Sequence, residues 1–339
     1  MKTNTAIKKI TRGICEEFAK AFKECELYKL YEKNKDELII CIRNDYLNLY
    51  YNCDSIAKIK YQKLGKKIVC EIDKYYLDGN HYKGKGKRYI IDQNEIVNQY
   101  DTIKENSDKK GIDENSDNEG AKEKKAQSQL FILNNSNPES KWFCIDVEYV
   151  KAFNNQEEKK ASGFNGRFDI IALSKNKPHR TALIELKYGS GAIGGKSGIY
   201  KHISDFRKFS EQKFFEKHLK QEIIDIIQSY KYLDVEIPFE LSELNLTEKP
   251  EFYCITLDNN PQKSDGSTPK QTMGGYLFKD KKRWNSKKLS RNCVENKFGD
   301  ITKKENELHA TFLFSTQTLG NIKIADIIEG NYCEKITAE

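Results

Sequence analysis

The sequence lacks any hydrophobic run approaching the roughly 18 residues that a membrane-spanning helix needs. It also lacks the hydrophobic stretch of a signal peptide at its start, where residues 1–12 alternate Lys with Ile. Both absences argue against membrane association, and we expect a cytoplasmic protein.

Paired cysteines and zinc-binding motifs are absent as well. The nine cysteines are an odd number with no CxxC pair, and the five histidines supply no partner motif. Several cysteines sit inside apolar, strand-like runs such as residues 38–43 and 66–72. The pattern therefore predicts reduced, buried thiols instead of disulfides or a structural zinc site.

Arginine is scarce for a basic chain, since only eight of the 58 basic residues are Arg. The net charge of +7 permits a polyanionic partner without requiring one. With 339 residues, of which 37% are hydrophobic, the chain is long enough for one large domain or two ordinary ones. That hydrophobic content excludes a wholly disordered protein.

The hydrophobic pattern divides the chain into three parts. Residues 1–100 combine helical spacing with a Tyr- and Ile-rich meander at 37–77, which predicts a small α+β domain for recognition or regulation. Residues 101–127 have no aromatic residue, which predicts a flexible charged linker. Residues 128–339 alternate strand-like runs with a long helical stretch, which predicts an α/β domain whose mixed sheet is flanked by helices, with a C-terminal extension.

Two strand-like runs place charged residues among apolar neighbours, which is costly if those charges are buried and unpaired. Glu185 and Lys187 are two residues apart and project from one face of their strand. Asp169 lies on the preceding strand, so the carboxylates of Asp169 and Glu185 are predicted to converge on one divalent cation. Mg²⁺ is the expected ion, because it prefers oxygen ligands of this kind. The alternative is a cross-strand salt bridge between one of these acids and Lys187.

This pattern resembles the PD-(D/E)XK nuclease superfamily, in which an acid enters a β-hairpin and ExK or DxK lies on the next strand. Asp169 and Glu185-Leu186-Lys187 occupy those positions, and Phe168 stands where the family name has Pro. The resemblance covers about residues 140–235. It implies a restriction-endonuclease-like core and Mg²⁺- or Mn²⁺-dependent hydrolysis of nucleic acid, with DNA favoured over RNA as the substrate. A role in restriction, repair or defence against mobile elements is implied by the same resemblance. Asp169 and Glu185 would bind the metal, and Lys187 would position the attacking water.

Glu148 is the predicted upstream acid that completes such a site, by supporting either a metal or the fold. It shares one face of a predicted strand with Asp146, and its neighbours Val147 and Tyr149 are apolar. An ionised Glu148 between them needs a cation. The alternative for both acids is an exposed position on an edge strand.

Substrate contacts are predicted in the glycine-rich loop 189–198 and in the helix that follows it. The loop narrowly misses the P-loop pattern, because Ser190 stands in place of the first Gly. Lys196 is a predicted phosphate contact, with a mobile surface loop as the alternative. A P-loop nucleotide hydrolase stays a lesser alternative function. His202 is predicted to contact the substrate phosphate or to support the site, whereas a hydrogen bond with Asp205 at the helix start is its ordinary alternative.

Two basic clusters, residues 81–89 and 279–291, interleave cations with aromatic residues. Cations track phosphates and aromatic rings stack on bases, so both clusters are predicted to bind nucleic acid. The predicted contacts are Lys85, Lys87, Arg88, Lys282, Arg283 and Trp284. A solvated basic loop is the alternative for each cluster, and a non-catalytic nucleic-acid-binding protein with a degenerate site is the alternative function. A homodimer is a further expectation, because cutting two strands needs two sites.

Overall fold

Two β-sheets with helices packed on them form the described part of the chain. The computed structural model describes residues 12–110, 119–151, 156–163, 166–189, 199–258, 310–315, 317–319 and 333–337. Within those residues no helix is both long and apolar enough to cross a membrane.

The first sheet is a five-stranded antiparallel meander whose strands pair in chain order. Its region comprises α1 (Glu16–Lys23), α2 (Glu26–Lys33), β1 (Leu38–Ile42), β2 (Tyr46–Tyr51), β3 (Asp54–Gln62), β4 (Lys67–Asp73), α3 (Tyr75–Asp78), β5 (Arg88–Ile91), α4 (Gln93–Asn98) and α5 (Tyr100–Lys109). Alternation along the strands places Leu47, Leu49 and Ile59 on one face, which packs against Phe18 and Phe22 of α1. The strands predicted between residues 37 and 77 are present, and β5 extends the sheet beyond them.

The second sheet has six strands in the order β11-β10-β9-β8-β7-β6. Its region comprises α6 (Glu119–Ser136), β6 (Trp142–Val150), α7 (Gln156–Ser162), β7 (Arg167–Ser174), β8 (Thr181–Tyr188), α8 (Ile199–Glu211), α9 (Lys220–Tyr232), β9 (Glu251–Leu257), β10 (Ala310–Ser315) and β11 (Cys333–Thr337). Strands β6, β7 and β8 are antiparallel, whereas β9 runs parallel to β8.

Helices cover both faces of the second sheet. Phe206 of α8 and Ile223 of α9 pack on one face, and Ala126 and Leu130 of α6 pack on the other. The prediction of an α/β protein with a mixed sheet flanked by helices is therefore confirmed. A further strand expected at residues 274–278 lies outside the described residues.

The segment 101–127 differs from the expected flexible linker, because its described parts are helical. Helix α5 buries Ile103 and Ser107, and α6 buries Ala126. The Ser107 hydroxyl donates a hydrogen bond to Asp54 at 3.0 Å, which compensates the burial of a polar residue. The polar composition of this segment did not reveal the helices. Each helix buries only a few of its own residues, because the sheets build most of the core on which it packs.

The two sheets share helix α9 as a common packing element. Ile223 and Ile227 contribute to the core of the second sheet, while Ile226 and Tyr230 contribute to that of the first. The Tyr230 hydroxyl lies 2.9 Å from the Ile40 carbonyl oxygen of β1 and 2.8 Å from a carbonyl oxygen of β6. One buried side chain thus bridges the edges of both sheets.

Asp146 of β6 forms a buried ion-pair cluster at the same junction. Its carboxylate oxygens lie 2.8 Å from Arg12 Nη2 and 2.6 Å from Arg43 Nη1. Arg43 also donates a hydrogen bond to the Val147 carbonyl oxygen at 2.7 Å. Asp146 is 0% exposed, so an exposed edge-strand position is wrong for this acid. The reason is that β1 of the first sheet lies against β6 and covers its edge.

Candidate functional site

Asp169 and Glu185 face each other across the β7–β8 hairpin. These strands pair with Ile170 opposite Ile184, and the antiparallel register makes Asp169 and Glu185 the next opposing residues. Asp169 Oδ2 accepts a hydrogen bond from the Leu186 backbone N–H at 2.7 Å. The carboxylate therefore lies against the strand that carries Glu185.

Lys187 and His202 both contact the Glu185 carboxylate. Lys187 Nζ lies 2.7 Å and His202 Nε2 lies 3.0 Å from the same oxygen, Glu185 Oε1. The salt bridge given as an alternative is thus present, although it forms within one strand. Asp205, the alternative partner of His202, pairs with Lys201 on its own helix. Helix α8 therefore directs His202 at the site, where it meets Glu185.

The two acids of the hairpin have opposite pKa shifts. Burial and the neighbouring Glu185 charge raise the pKa of Asp169 well above its ordinary value, and Lys187 offsets this only in part. Burial also acts to raise the pKa of Glu185, but the hydrogen bond from His202 and the charge of Lys187 outweigh it and lower that pKa. Lys187 and His202 thus favour the charged form of Glu185, whereas the surroundings of Asp169 favour its protonated form.

Glu123 of α6 is a third carboxylate at this site, and the sequence pattern did not reveal it. Its Oε1 lies 3.4 Å from Lys187 Nζ, and its pKa is raised by burial with a further contribution from Glu185. Glu123 falls in the segment expected to be a linker. One available signal was the apolar spacing of Ala126 and Leu130, which places Glu123 on the same helical face when extended back by one turn.

Glu148 lies at the level of Asp169 on the neighbouring strand. It stands between two strand pairs, Val147 with Ile170 and Tyr149 with Phe168. Its backbone has φ 54°, a left-handed conformation that costs a non-glycine residue about 1–3 kcal/mol and concentrates at functional sites. Burial raises the pKa of Glu148, with Lys124 the main opposing charge.

The β2–β3 turn of the first sheet lies near Glu148 and Asp169. Burial raises the pKa of Cys53 in that turn, and the charges of Glu148 and Asp169 both add to the effect. The next residue, Asp54, forms an ion pair with Lys124 of α6, with 3.2 Å between Oδ1 and Nζ. The β2–β3 turn of the first sheet therefore lies near the acids at the ends of β6 and β7.

The remaining predicted contacts do not lie at the Asp169–Glu185 pair in the described part of the chain. Lys87 pairs with Asp73 at 3.0 Å, and Arg88 begins β5 at the edge of the first sheet opposite β1. The side chain of Lys85 lies outside the described residues. The other predicted contacts outside the described residues are Lys196, Lys282, Arg283 and Trp284.

The side chains that could bind a metal ion at this site are carboxylates. Among the described residues, no cluster of three or more His, Cys, Asp or Glu side chains is arranged to hold a metal ion. The facing carboxylates of Asp169 and Glu185 are hard oxygen donors of the kind that Mg²⁺ and Mn²⁺ accept. The raised pKa of Asp169 indicates a deficit of positive charge, which a divalent cation would supply.

Comparisons of the chain with protein-family models, curated proteins and solved structures found no match.

Proposed function

We propose that this protein is a divalent-metal-dependent nuclease that hydrolyses phosphodiester bonds in nucleic acid, with DNA as the favoured substrate. The observation that carries the proposal is the facing pair of Asp169 and Glu185, with Lys187 2.7 Å from Glu185. An acid on one strand, ExK on the next and a following long helix are the features of the PD-(D/E)XK resemblance. Their arrangement supports a restriction-endonuclease-like core.

Asp169 and Glu185 would hold Mg²⁺ or Mn²⁺, and Glu123 and Glu148 would add negative charge around it. When bound, such an ion neutralises charge on the scissile phosphate and lowers the pKa of a water molecule. The fit rests on the oxygen donors and on the raised pKa of Asp169, because a cation would offset both the burial and the Glu185 charge that raise it.

Lys187 would act as a hydrogen-bond donor in this reaction. Although burial lowers the pKa of a lysine, the charges of Glu185, Asp169 and Glu123 outweigh it here and raise the pKa of Lys187. The ammonium group stays protonated at neutral pH, so it cannot accept a proton from the attacking water. Instead it would orient that water or stabilise charge that develops on the phosphate.

A non-catalytic nucleic-acid-binding protein is the second candidate function. It is favoured by the mutual pairing of Glu185 with Lys187 and His202, which satisfies these side chains without a metal. Such a protein would tolerate neutral substitutions at Asp169 and Lys187. The two candidates therefore differ in the consequences of the same substitutions.

We expect the purified protein to cleave nucleic acid with Mg²⁺ or Mn²⁺ and not with EDTA. Supercoiled plasmid, linear duplex, single-stranded DNA and RNA should be compared on gels. Lys187→Met keeps the length of the side chain but removes its charge, so the cleavage rate should fall by about 100-fold or more. Lys177→Met is the matched control, because Lys177 is exposed and pairs with the exposed Glu243 in a surface bridge worth little.

Equal cleavage by wild type and Lys187→Met would contradict the proposed role of Lys187. Metal-independent cleavage would contradict the proposed chemistry. Equal binding without cleavage, under every metal condition, would favour the non-catalytic alternative. Nucleotide hydrolysis that disappears in Lys196→Ala would instead favour a P-loop protein.

We expect Glu123→Gln to weaken divalent-metal binding by about tenfold, as loss of an outer charge near a metal site does. Two measurements check this: the Mg²⁺ concentration that gives half-maximal cleavage, and the Mg²⁺-dependent rise in melting temperature. The second readout needs no activity. Glu139→Gln, an exposed residue just beyond α6, is the control. Unchanged Mg²⁺ titrations in Glu123→Gln would exclude Glu123 from the site.

A further inference from the structure

Away from β1, where Ile39 and Cys41 are buried against the second sheet, the face of the first sheet opposite its core is a basic surface with an aromatic ring and an exposed aliphatic side chain, and we call it the open face. We propose that this face binds single-stranded nucleic acid, with its cations along the phosphates and Tyr46 against a base. The inference rests on the proposed function for the identity of the ligand. The surface itself is separate from Asp169 and Glu185, so its binding can be measured without cleavage.

Strand register assigns the residues of this open face. Leu47 and Ile59 pair and point into the core, so the adjacent pairs point to the opposite side. Those pairs are Tyr46 with Lys60 and Asn48 with Lys58. The pairing of β3 with β4 and of β4 with β5 extends this face. Its further residues are Gln62 of β3, Lys67, Val69, Glu71 and Asp73 of β4, and Arg88 and Ile90 of β5.

Cations outnumber acids on the described open face. Lys58, Lys60, Lys67 and Arg88 share it with only two acids. Glu71 pairs with Lys60, and Asp73 pairs with Lys87 from the adjoining turn. Burial together with the like charges of Lys60 and Arg88 lowers the pKa of Lys58, as expected where cations are crowded. A row of phosphates would relieve this repulsion, which is the charge complementarity that selects a polyanion.

Apolar groups on the same face favour an unpaired strand over a duplex. Lys58 Nζ lies 4.2 Å from the centre of the Tyr46 ring, so a cation and an aromatic ring form one unit. Ile90 is 68% exposed and stands beside Glu71 and Arg88 on the same face. A duplex presents mainly phosphates at its surface, whereas an unpaired strand also offers bases that contact a ring or an aliphatic side chain.

Fluorescence anisotropy in EDTA tests the proposal, with a labelled single-stranded oligonucleotide and a matched duplex over a range of salt concentrations. The double variant Lys58→Gln/Arg88→Gln should bind the single strand on the order of tenfold more weakly at 0.1 M salt. Its salt slope should fall by about 1.4, which is two phosphate contacts at about 0.7 each. Tyr46→Leu should weaken binding by about tenfold while the salt slope stays unchanged.

The charge-matched control is Lys29→Gln/Lys33→Gln on α2, which packs on the opposite face of the sheet. This control should retain the wild-type affinity and salt slope. Equal weakening in the control, tighter binding of the duplex, or no loss in the open-face variants would each overturn the proposal. Because the assay contains EDTA, a protein that binds through this face but never cleaves would overturn only the nuclease proposal.

Discussion

Replacing Asp169 with Asn is expected to abolish metal binding and, at the same time, to stabilise the metal-free protein. Cleavage should fall by more than about 100-fold, because changes that only support a metal ligand already cost about 10–100-fold. In EDTA at neutral pH, the free energy of unfolding should rise by an amount on the order of 1 kcal/mol or more. The Mg²⁺-dependent increase in melting temperature that we expect for the wild type should disappear.

The stabilisation follows from the raised pKa of Asp169. Folding favours the protonated form of this group, so the contribution of Asp169 to stability is fully present below the unfolded carboxyl pKa of about 4 and is lost as the pH rises through the folded pKa. Asn carries no charge and keeps the oxygen that accepts the Leu186 N–H. The stability difference between variant and wild type should therefore increase with pH in EDTA and shrink when Mg²⁺ is added.

Thermal and urea unfolding of both proteins from pH 5 to pH 9, with EDTA or Mg²⁺, checks this prediction. Asp234→Asn serves as the control, because Asp234 is an exposed acid paired with Lys23 at the surface. A metal-free Asp169→Asn protein that is less stable than the wild type would mean that Asp169 is a structural acid. A retained Mg²⁺ shift would remove it from the metal site.

The hairpin with Asp169, Glu185 and Lys187 could be predicted because it depends on local pattern. Short apolar runs marked the strands, and a period of two placed Glu185 and Lys187 on one face. Only the register of β7 against β8, with Ile170 opposite Ile184, decides which residues face each other. Register depends on the turn and on burial across strands, which the sequence pattern does not specify.

Contacts between residues far apart in the chain could not be predicted from the local spacing of apolar residues. Glu123 reaches Lys187 across 64 positions, and its segment has the polar composition of a linker. Asp146 shares a predicted strand face with Glu148, yet in the structure it meets Arg43, the residue after β1, across 103 positions. Glu148 has a left-handed backbone, and its neighbours Val147 and Tyr149 join different cores. These differences arise from packing between the two sheets and not from local spacing.

Asp146→Ala is expected to destabilise the protein by about 3–5 kcal/mol, the cost of removing one partner from a buried ion pair. The substitution leaves Arg12 and Arg43 buried at the junction without their carboxylate, and Arg12 keeps its position over the Tyr149 ring. Urea unfolding measures the change. Asp146→Asn should be less damaging, because its amide oxygen still accepts one of the two hydrogen bonds.

Two comparisons separate charge burial from loss of packing. Glu251→Gln removes the acid of a bidentate pair with Arg180 that is nearer the surface, and it should cost about 1 kcal/mol or less. The double variant Asp146→Leu/Arg43→Met removes a charge of each sign, so its cost should be smaller than the sum of the single costs. Additive costs would show that Asp146 acts through packing alone. A smaller combined cost would show that the junction between the two sheets depends on neutralising the buried Arg43.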